Sequence, residues 1–424
     1  MKRFLHILVC WCVLGVSYAK PIEIIVWHSL AGQLGIEFQT LVNGFNKRQN
    51  DFLLKPVYKG SYIEALTSFA AAFRAHQPPA VIQVFEVGTA TLLMPKGIIK
   101  PAHELMKEQG MLLPEADFFP AVRASYSDKG RLMAMPFNTS VPVIFYNVEV
   151  LANAGYSVAN FPTTWDELEV LAKKLNQEGF LCVYTSAYPA WILIEAYSAI
   201  HGLSMMDVKT NKAIYNNKPM VNHLERLRRW QRLHYFEYGG RSDDATTLFT
   251  SGRCPLLSHS SGVYSGLSAL VPFKIGMAAL PLDKDASSTR YNNVPGGAAL
   301  WAVAGQKPAV YRGIAQFFSY LAEPLVQKGW YMHTGYLPLG LTGIYQLLGK
   351  DGAYPQLVLA QSEFNGPSAH ANHPHLGAQN QIRSINDEAL EEIFAGIKSP
   401  ARAMDDAVAR ANHCQQRFMQ NTSG

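Results

Sequence analysis

Cysteine is scarce. The 424 residues hold five, and Cys10 and Cys12 fall in an apolar leader, leaving Cys182, Cys254 and Cys414. Their spacing fits no zinc pattern. In an oxidising compartment one pair bridges and one thiol is left over, and Cys182–Cys254 is the expected pair because both lie near segments of one half of the fold. Long apolar runs are missing too: after the leader no stretch reaches the roughly 18 residues of a spanning helix. Charged residues make up only 16%, and setting aside Lys2 and Arg3 takes the formal net charge from +5 to +3. No basic cluster is interleaved with aromatics, so nucleic acid is not an expected partner. Common enzyme signatures are also lacking: there is no G-x-S-x-G, no G-x-x-x-x-G-K-[ST], no H-E-x-x-H and no complete dinucleotide fingerprint. Ser260 and Ser261 beside His259 do not supply a nucleophile and base, because neighbours on extended backbone point to opposite faces. Neither catalysis nor a cofactor is expected. Repeats and low-complexity linkers are absent, so ordered chain crosses between domains and forms a hinge.

What is present begins with the leader. Lys2 and Arg3 precede an apolar run over 4–16, and Ser17, Tyr18 and Ala19 offer the small residues of a cleavage site. Residues 1–19 therefore read as a secretory signal peptide. Neither leader cysteine follows the small residues of a lipidation site. A hydrophobic content of 48% over 424 residues is enough for sizeable cores and implies two domains.

Apolar periodicity predicts strands at 22–27, 52–58 and 80–86, alternating with helices at 35–50 and 62–74. Such βαβαβ order implies an α/β fold with a mostly parallel sheet, whose ligands sit beyond the strand C-termini. Tyr62 and Glu86 lie at such ends. The segment 131–147, RLMAMPFNTSVPVIFYN, is central. Two apolar runs flank Asn138, Thr139 and Ser140, and Pro142 holds Val141 extended. The pattern fits a strand passing from one sheet to another or a hairpin with a three-residue loop, about equally. A second α/β run follows: a capping box opens a helix at 164–178, with strands at 180–185, 255–257, 273–280 and 298–303. Helices at 191–200, 220–236, 309–322, 325–333, 354–361, 385–397 and from Ser399 to about 420 complete the chain. Arg226, Arg228, Arg229 and Arg232 read as a solvated helix face.

Several local features bear chemistry weakly when taken alone. His370, His373 and His375 form a histidine-rich loop with no carboxylate or thiolate partner in sequence, so no metal site is expected. Gly296 and Gly297 permit close backbone approach and present N–H groups to an anion. Tyr336 is fixed in a turn by its neighbours in TGYLP, and Arg383 leads into a helix as a bidentate partner for phosphate or carboxylate.

Together these segments carry a resemblance. VWHSL (26–30), YKGSY (58–62), QVFEVGTAT (83–91), PFNTSVPV (136–143), SSG (260–262), GGAALW (296–301), TGYLP (334–338) and QIR (381–383) are similar, in matching order, to the periplasmic sn-glycerol-3-phosphate-binding proteins of ABC transporters. The resemblance implies a two-lobed solute-binding fold of the maltose-binding type, with several hinge crossings and a central cleft. Residues 20–139 with about 288–333 would form one lobe, and 140–287 with about 334–424 the other. It further implies a monomeric periplasmic receptor that gives its ligand to membrane permease subunits. The implied ligand residues are Tyr62, Glu86, Ser140, Tyr188, Trp191, Ser260 (or its neighbour Ser261), Gly297, Tyr336 and Arg383. Arg383, Ser140, Ser260, Tyr336 and the Gly297 N–H would hold a phosphate. Glu86, repelled from that charge, would take glycerol hydroxyls at the opposite pole. Tyr188 stands where enterobacterial members carry tryptophan, which leaves room for a glycerophosphodiester such as glycerophosphocholine with its headgroup over aromatic faces. A neutral oligosaccharide receptor of the same fold and a secreted phosphodiesterase are the competing classes.

Overall fold

The computed structural model describes residues 20–207, 209–340, 355–367 and 378–422. The leader and His370, His373 and His375 lie outside them. In chain order the strands are β1 (Ile22–His28), β2 (Phe52–Tyr58), β3 (Val81–Phe85), the pair β4 (Ser127–Asp128) and β5 (Arg131–Leu132), β6 (Met135–Ser140) and β7 (Pro142–Asn147). They continue with β8 (Tyr184–Ser186), the pair β9 (Met206–Asp207) and β10 (Lys212–Ala213), β11 (Phe236–Glu237), β12 (Leu256–Ser260), β13 (Ile275–Ala279) and β14 (Gly296–Ala302). Two five-stranded sheets dominate, in spatial order β2-β1-β3-β14-β6 and β11-β8-β12-β7-β13.

Each sheet is mixed, with four strands running one way and one reversed. β1 runs parallel to β2 and β3, and β8 parallel to β11 and β12, but β14 opposes both its neighbours and so does β7. The reversed strands are the ones that enter directly from the other sheet. No crossover helix precedes them, so the rule that makes βαβ neighbours parallel does not act. The parallel order expected from strand–helix alternation holds for β1, β2 and β3, and the reversed strand of each sheet is the part that alternation did not foresee.

The segment 131–147 resolves as the crossing. β6 ends in the first sheet at Ser140, β7 starts in the second at Pro142, and only Val141 intervenes. Asn138, Thr139 and Ser140 are strand residues, not a loop. Every residue of both strands is buried. Pro142 costs no ladder bond that an interior position would need, because it opens its strand. Along β7 the side chains alternate between two cores. Val143 and Phe145 join a core that runs from the first sheet on to Phe249 and Leu257, while Ile144 and Tyr146 join the one on the other face of the second sheet.

Helices cover the sheets as their apolar spacing dictates. Gly32–Lys47 buries Phe38, Val42 and Phe45, and Pro308–Leu321 buries Ile314, Phe317 and Phe318 against the same core. Trp165–Gln177 opens with a complete capping box between Thr164 and Glu167. Residues 335–340 return to the first sheet, since Leu337 pairs with Thr139 and Gly340 with Phe118. Tyr336, Leu337 and Leu339 are buried, and Tyr336 also lies against Gly262 of the second-sheet half, so the stretch touches both halves. Cys182 and Cys254 are bridged, and Cys414 is free. Among the described residues no helix is long and apolar enough to cross a membrane.

Candidate ligand cleft

Both sheets present the same device where they meet. β3 runs into a 3-10 turn, Glu86–Gly88, and β12 into another, Ser261–Val263. Each turn sits at a strand C-terminus, where α/β sheets gather their ligand groups. Ser261 is tied to the crossing: its N–H donates to the Val141 carbonyl at 2.9 Å and its Oγ accepts from the Val141 N–H at 3.2 Å. Ser260 accepts only from the Gly262 N–H, at 3.3 Å, and is less buried. Of the two serines, Ser260 is thus the one not consumed by the hinge.

Two glycines let aromatic and hydroxyl groups converge here. Gly297 has φ 97°, and a Cβ there would lie 1.7 Å from the Asn138 carbonyl oxygen. A Cβ on Gly296 would fall 2.4 Å from the Trp191 ring and 3.0 Å from Ser140 Oγ, so Ser140, Gly297 and Trp191 share one corner. The Trp191 Nε1–H is buried and has no partner among the described residues. Tyr336 lies over Gly262 and stacks on Trp330 at 6.0 Å. Burial pushes its hydroxyl up to about 12, eased by bonds to Asn138 and Tyr62. Tyr62 stacks on Phe85 at 5.0 Å and accepts from Asn138 Nδ2 at 3.1 Å. Gln83 Nε2 in turn donates to Asn138 Oδ1 at 2.8 Å.

Charge is concentrated around Arg383. The residue lies inside the helix Gln379–Phe394 and not ahead of it. Its Nη2 is 2.9 Å from Glu86 Oε1, across from the other sheet's turn. Glu195 grips it from behind, with Nε to Oε1 and Nη2 to Oε2 both at 2.7 Å. Nη1 has no partner among the described residues. Burial lowers the Arg383 pKa, but Glu195 and Glu86 outweigh it and the guanidinium stays firmly charged. Burial pushes the Glu86 carboxyl up, opposed by Arg383. The expectation that acid and guanidinium stand at opposite poles is therefore corrected: they are paired. The reason is desolvation, since a guanidinium this buried needs carboxylates within bonding reach.

Tyr188 lies at the rim, 40% exposed, with its backbone in the left-handed region at φ 44°. Its N–H donates to the Ser242 carbonyl, and its ring meets His259 at 5.4 Å and Trp191 at 6.5 Å. A non-glycine residue held there signals a constraint from its surroundings. All nine expected residues are thus connected through direct contacts or a single intermediate. Glu195, Asn138 and Gln83 complete the site and escape the sequence reading. Glu195 had a signal: it is the lone charge in the apolar run at 190–200, and an acid buried to 4% exposure requires a cation. A separate concavity of about 540 Å³, lined by Leu181, Phe236, Tyr238, Glu391 and Phe394 among others, includes none of these residues.

Comparison with known proteins gives the lineage. The model of the bacterial extracellular solute-binding proteins matches residues 40–351. The sn-glycerol-3-phosphate-binding periplasmic protein UgpB of Pectobacterium atrosepticum is 36% identical, over 98% of this chain and 96% of its own. That of Yersinia pseudotuberculosis is 36% identical over 94% and 93%. Among solved structures, UgpB from Mycobacterium tuberculosis in complex with glycerophosphocholine has a TM-score of 0.76 at 19% identity, covering 94% of this chain and 99% of that one. Maltose-bound MalE3 of T. maritima has a TM-score of 0.77 at 17% identity, over 92% and 99%. These two likenesses carry the fold, the two-lobed maltose-binding type. With its two crossing-linked sheets and matching sequence, this chain belongs to the bacterial extracellular solute-binding proteins.

Proposed function

We propose that this protein is a periplasmic receptor that binds sn-glycerol-3-phosphate or its diesters between its two sheet-bearing lobes and delivers them to the permease of an ABC importer. One observation carries the reading: Glu86 from the first lobe and Arg383 from the second approach to 2.9 Å, within a ring of hydroxyls and aromatic faces. Contacts drawn from both lobes exist together only when the lobes are closed, so a ligand that uses both favours closure. Arg383 Nη1, the Trp191 Nε1–H and the hydroxyls of Ser140, Ser260 and Tyr336 are the donors available to phosphate oxygens. Glu86 accepts from glycerol hydroxyls, and Tyr62 and Trp191 flank the carbon skeleton. The named relatives bind sn-glycerol-3-phosphate, which agrees with this donor set. Tyr188, half-exposed at the rim, favours room for a diester headgroup such as choline.

The site offers no nucleophile–base pair: His259 Nδ1 accepts from the Ser260 N–H at 2.7 Å, not from a hydroxyl. Calorimetric titration with sn-glycerol-3-phosphate, glycerophosphocholine, maltose and inorganic phosphate tests the proposal. Saturable binding of either glycerophosphate ester, with no free choline released on incubation, supports it. Tight binding of maltose alone overturns it.

A further inference from the structure

Glu195 is the acid that the proposed binding scheme leaves without a task. It is 4% exposed, flanked by buried Ile192, Leu193, Ile194 and Ala196, and it binds Arg383 through two parallel bonds of 2.7 Å. Gln379 Nε2 adds a third contact at 3.3 Å. Glu86 approaches the same guanidinium at 2.9 Å, so one cation faces two carboxylates. The cluster is net negative before any phosphate arrives.

We infer that Glu195 is a specificity-determining residue: by neutralising Arg383 it makes the cleft prefer phosphodiesters, which carry one negative charge, over the monoester, which carries up to two. The inference rests on the proposed function and narrows its ligand class. Glu195 also fixes the guanidinium plane, engaging Nε and Nη2 and leaving Nη1 as the edge that meets phosphate. A monoester phosphate takes its second charge with a pKa of about 6, whereas a diester never does. One extra unit charge about 6 Å from the cluster, at an effective dielectric of about 20, lowers affinity on the order of 100-fold. Other ionisable groups also face the cluster. Tyr126 sits beside Glu86 from the first lobe, Asp387 and Tyr215 face Glu195 from the second, and Arg241, paired with Glu391, acts on Asp387. None of them makes the bidentate contact that decides the charge on Arg383.

The test is calorimetry on the mature protein and Glu195→Gln with sn-glycerol-3-phosphate, glycerophosphocholine and glycerophosphoglycerol, the last a diester without a cation. The wild type is expected to bind both diesters more tightly than the monoester at pH 7.5. Glu195→Gln should move the monoester-to-diester affinity ratio toward the monoester by about 10- to 100-fold. A purely structural ion pair would lower all three affinities together, and an unchanged ratio overturns the inference. So does a wild-type preference confined to the choline ester. Should the variant not fold, the wild type alone decides between pH 5 and 8. The monoester must weaken relative to glycerophosphoglycerol as its phosphate takes the second charge, and because burial pushes the Asp387 carboxyl up to about 6, into the same window, the ratio is also read in Asp387→Asn, where the weakening must persist. A flat ratio with both bound sinks this inference and spares the proposed function. Binding of neither ester sinks both.

Discussion

Arg383 holds two carboxylates that have no other cation among the described residues, and its removal exposes what it neutralises. Arg383→Ala should weaken glycerophosphate binding by about 2–5 kcal/mol in calorimetry. It should also lower the unfolding free energy by about 3–5 kcal/mol in urea, because Glu195 is left buried without a counter-charge. A variant that unfolds like the parent would mean Glu195 finds water or a second cation. His259 carries the pH prediction at this scale. Its Nδ1 accepts from the Ser260 N–H, and burial depresses the ring to about 3. The unfolded ring takes a proton near 6.5, so the stability tied to neutral His259 is fully present above that pH and drains away as pH falls toward 3. Urea midpoints measured from pH 7 to 4 should decline less steeply in His259→Gln than in the parent. Part of this residue-level picture was legible in advance: the nine positions that the family resemblance implies lie near one another where the two sheets meet, through contacts such as Glu86–Arg383 and Tyr188–Trp191. Glu195 was not, because it sits inside an apolar helical run with no motif around it.

The element that hides Glu195 is a π-helix, Ala190–Ala196. Its wider turn breaks the 3.6-residue spacing by which helical faces are read, and brings Trp191 and Glu195 toward the same guanidinium, 5.9 Å from the Trp191 ring in one case. The helix carrying Arg383 began earlier than its sequence suggested for a related reason. Ala378 stands at its N-cap with no side-chain bond, so no capping signal marks it. Where caps exist the boundaries were clear. Thr164 and Glu167 bracket a helix start, and Thr164→Ala should cost about 1 kcal/mol in urea unfolding. Gly297→Ala is the harsher change, since φ 97° and a 1.7 Å clash with backbone leave no room to relax. A loss of about 2 kcal/mol or more is expected, with ligand binding lost alongside. Intact stability in that variant would show that β14 shifts its register against β6.

At the level of the molecule, the two-sheet plan and the parallel run of β1, β2 and β3 followed from the alternation of strands and helices, but the reversed strand in each sheet did not. Whether a strand enters through a helix or straight from the other lobe is a tertiary fact, and β7 and β14 look like any other apolar run in sequence. The Cys182–Cys254 bridge closes a separation of 72 residues within the second lobe, joining the approaches to the adjacent strands β8 and β12. Reduction should lower unfolding stability by about 4 kcal/mol on the chain-entropy account, read as a downward shift in urea midpoint with reductant. The bridge lies outside the cleft contacts, so glycerophosphate affinity should be preserved while the lobe stays folded.

Val141 is the whole of the link between β6 and β7, and both its backbone groups are pinned by Ser261. A connection one residue long, two Cα–Cα steps of about 3.8 Å each, has little slack. The halves are thus bound like facing pages at a spine: they tilt apart but do not slide past one another. The span of solute that fits is fixed by where the pages are stitched, and a longer cargo must overhang the open edge instead of stretching the binding.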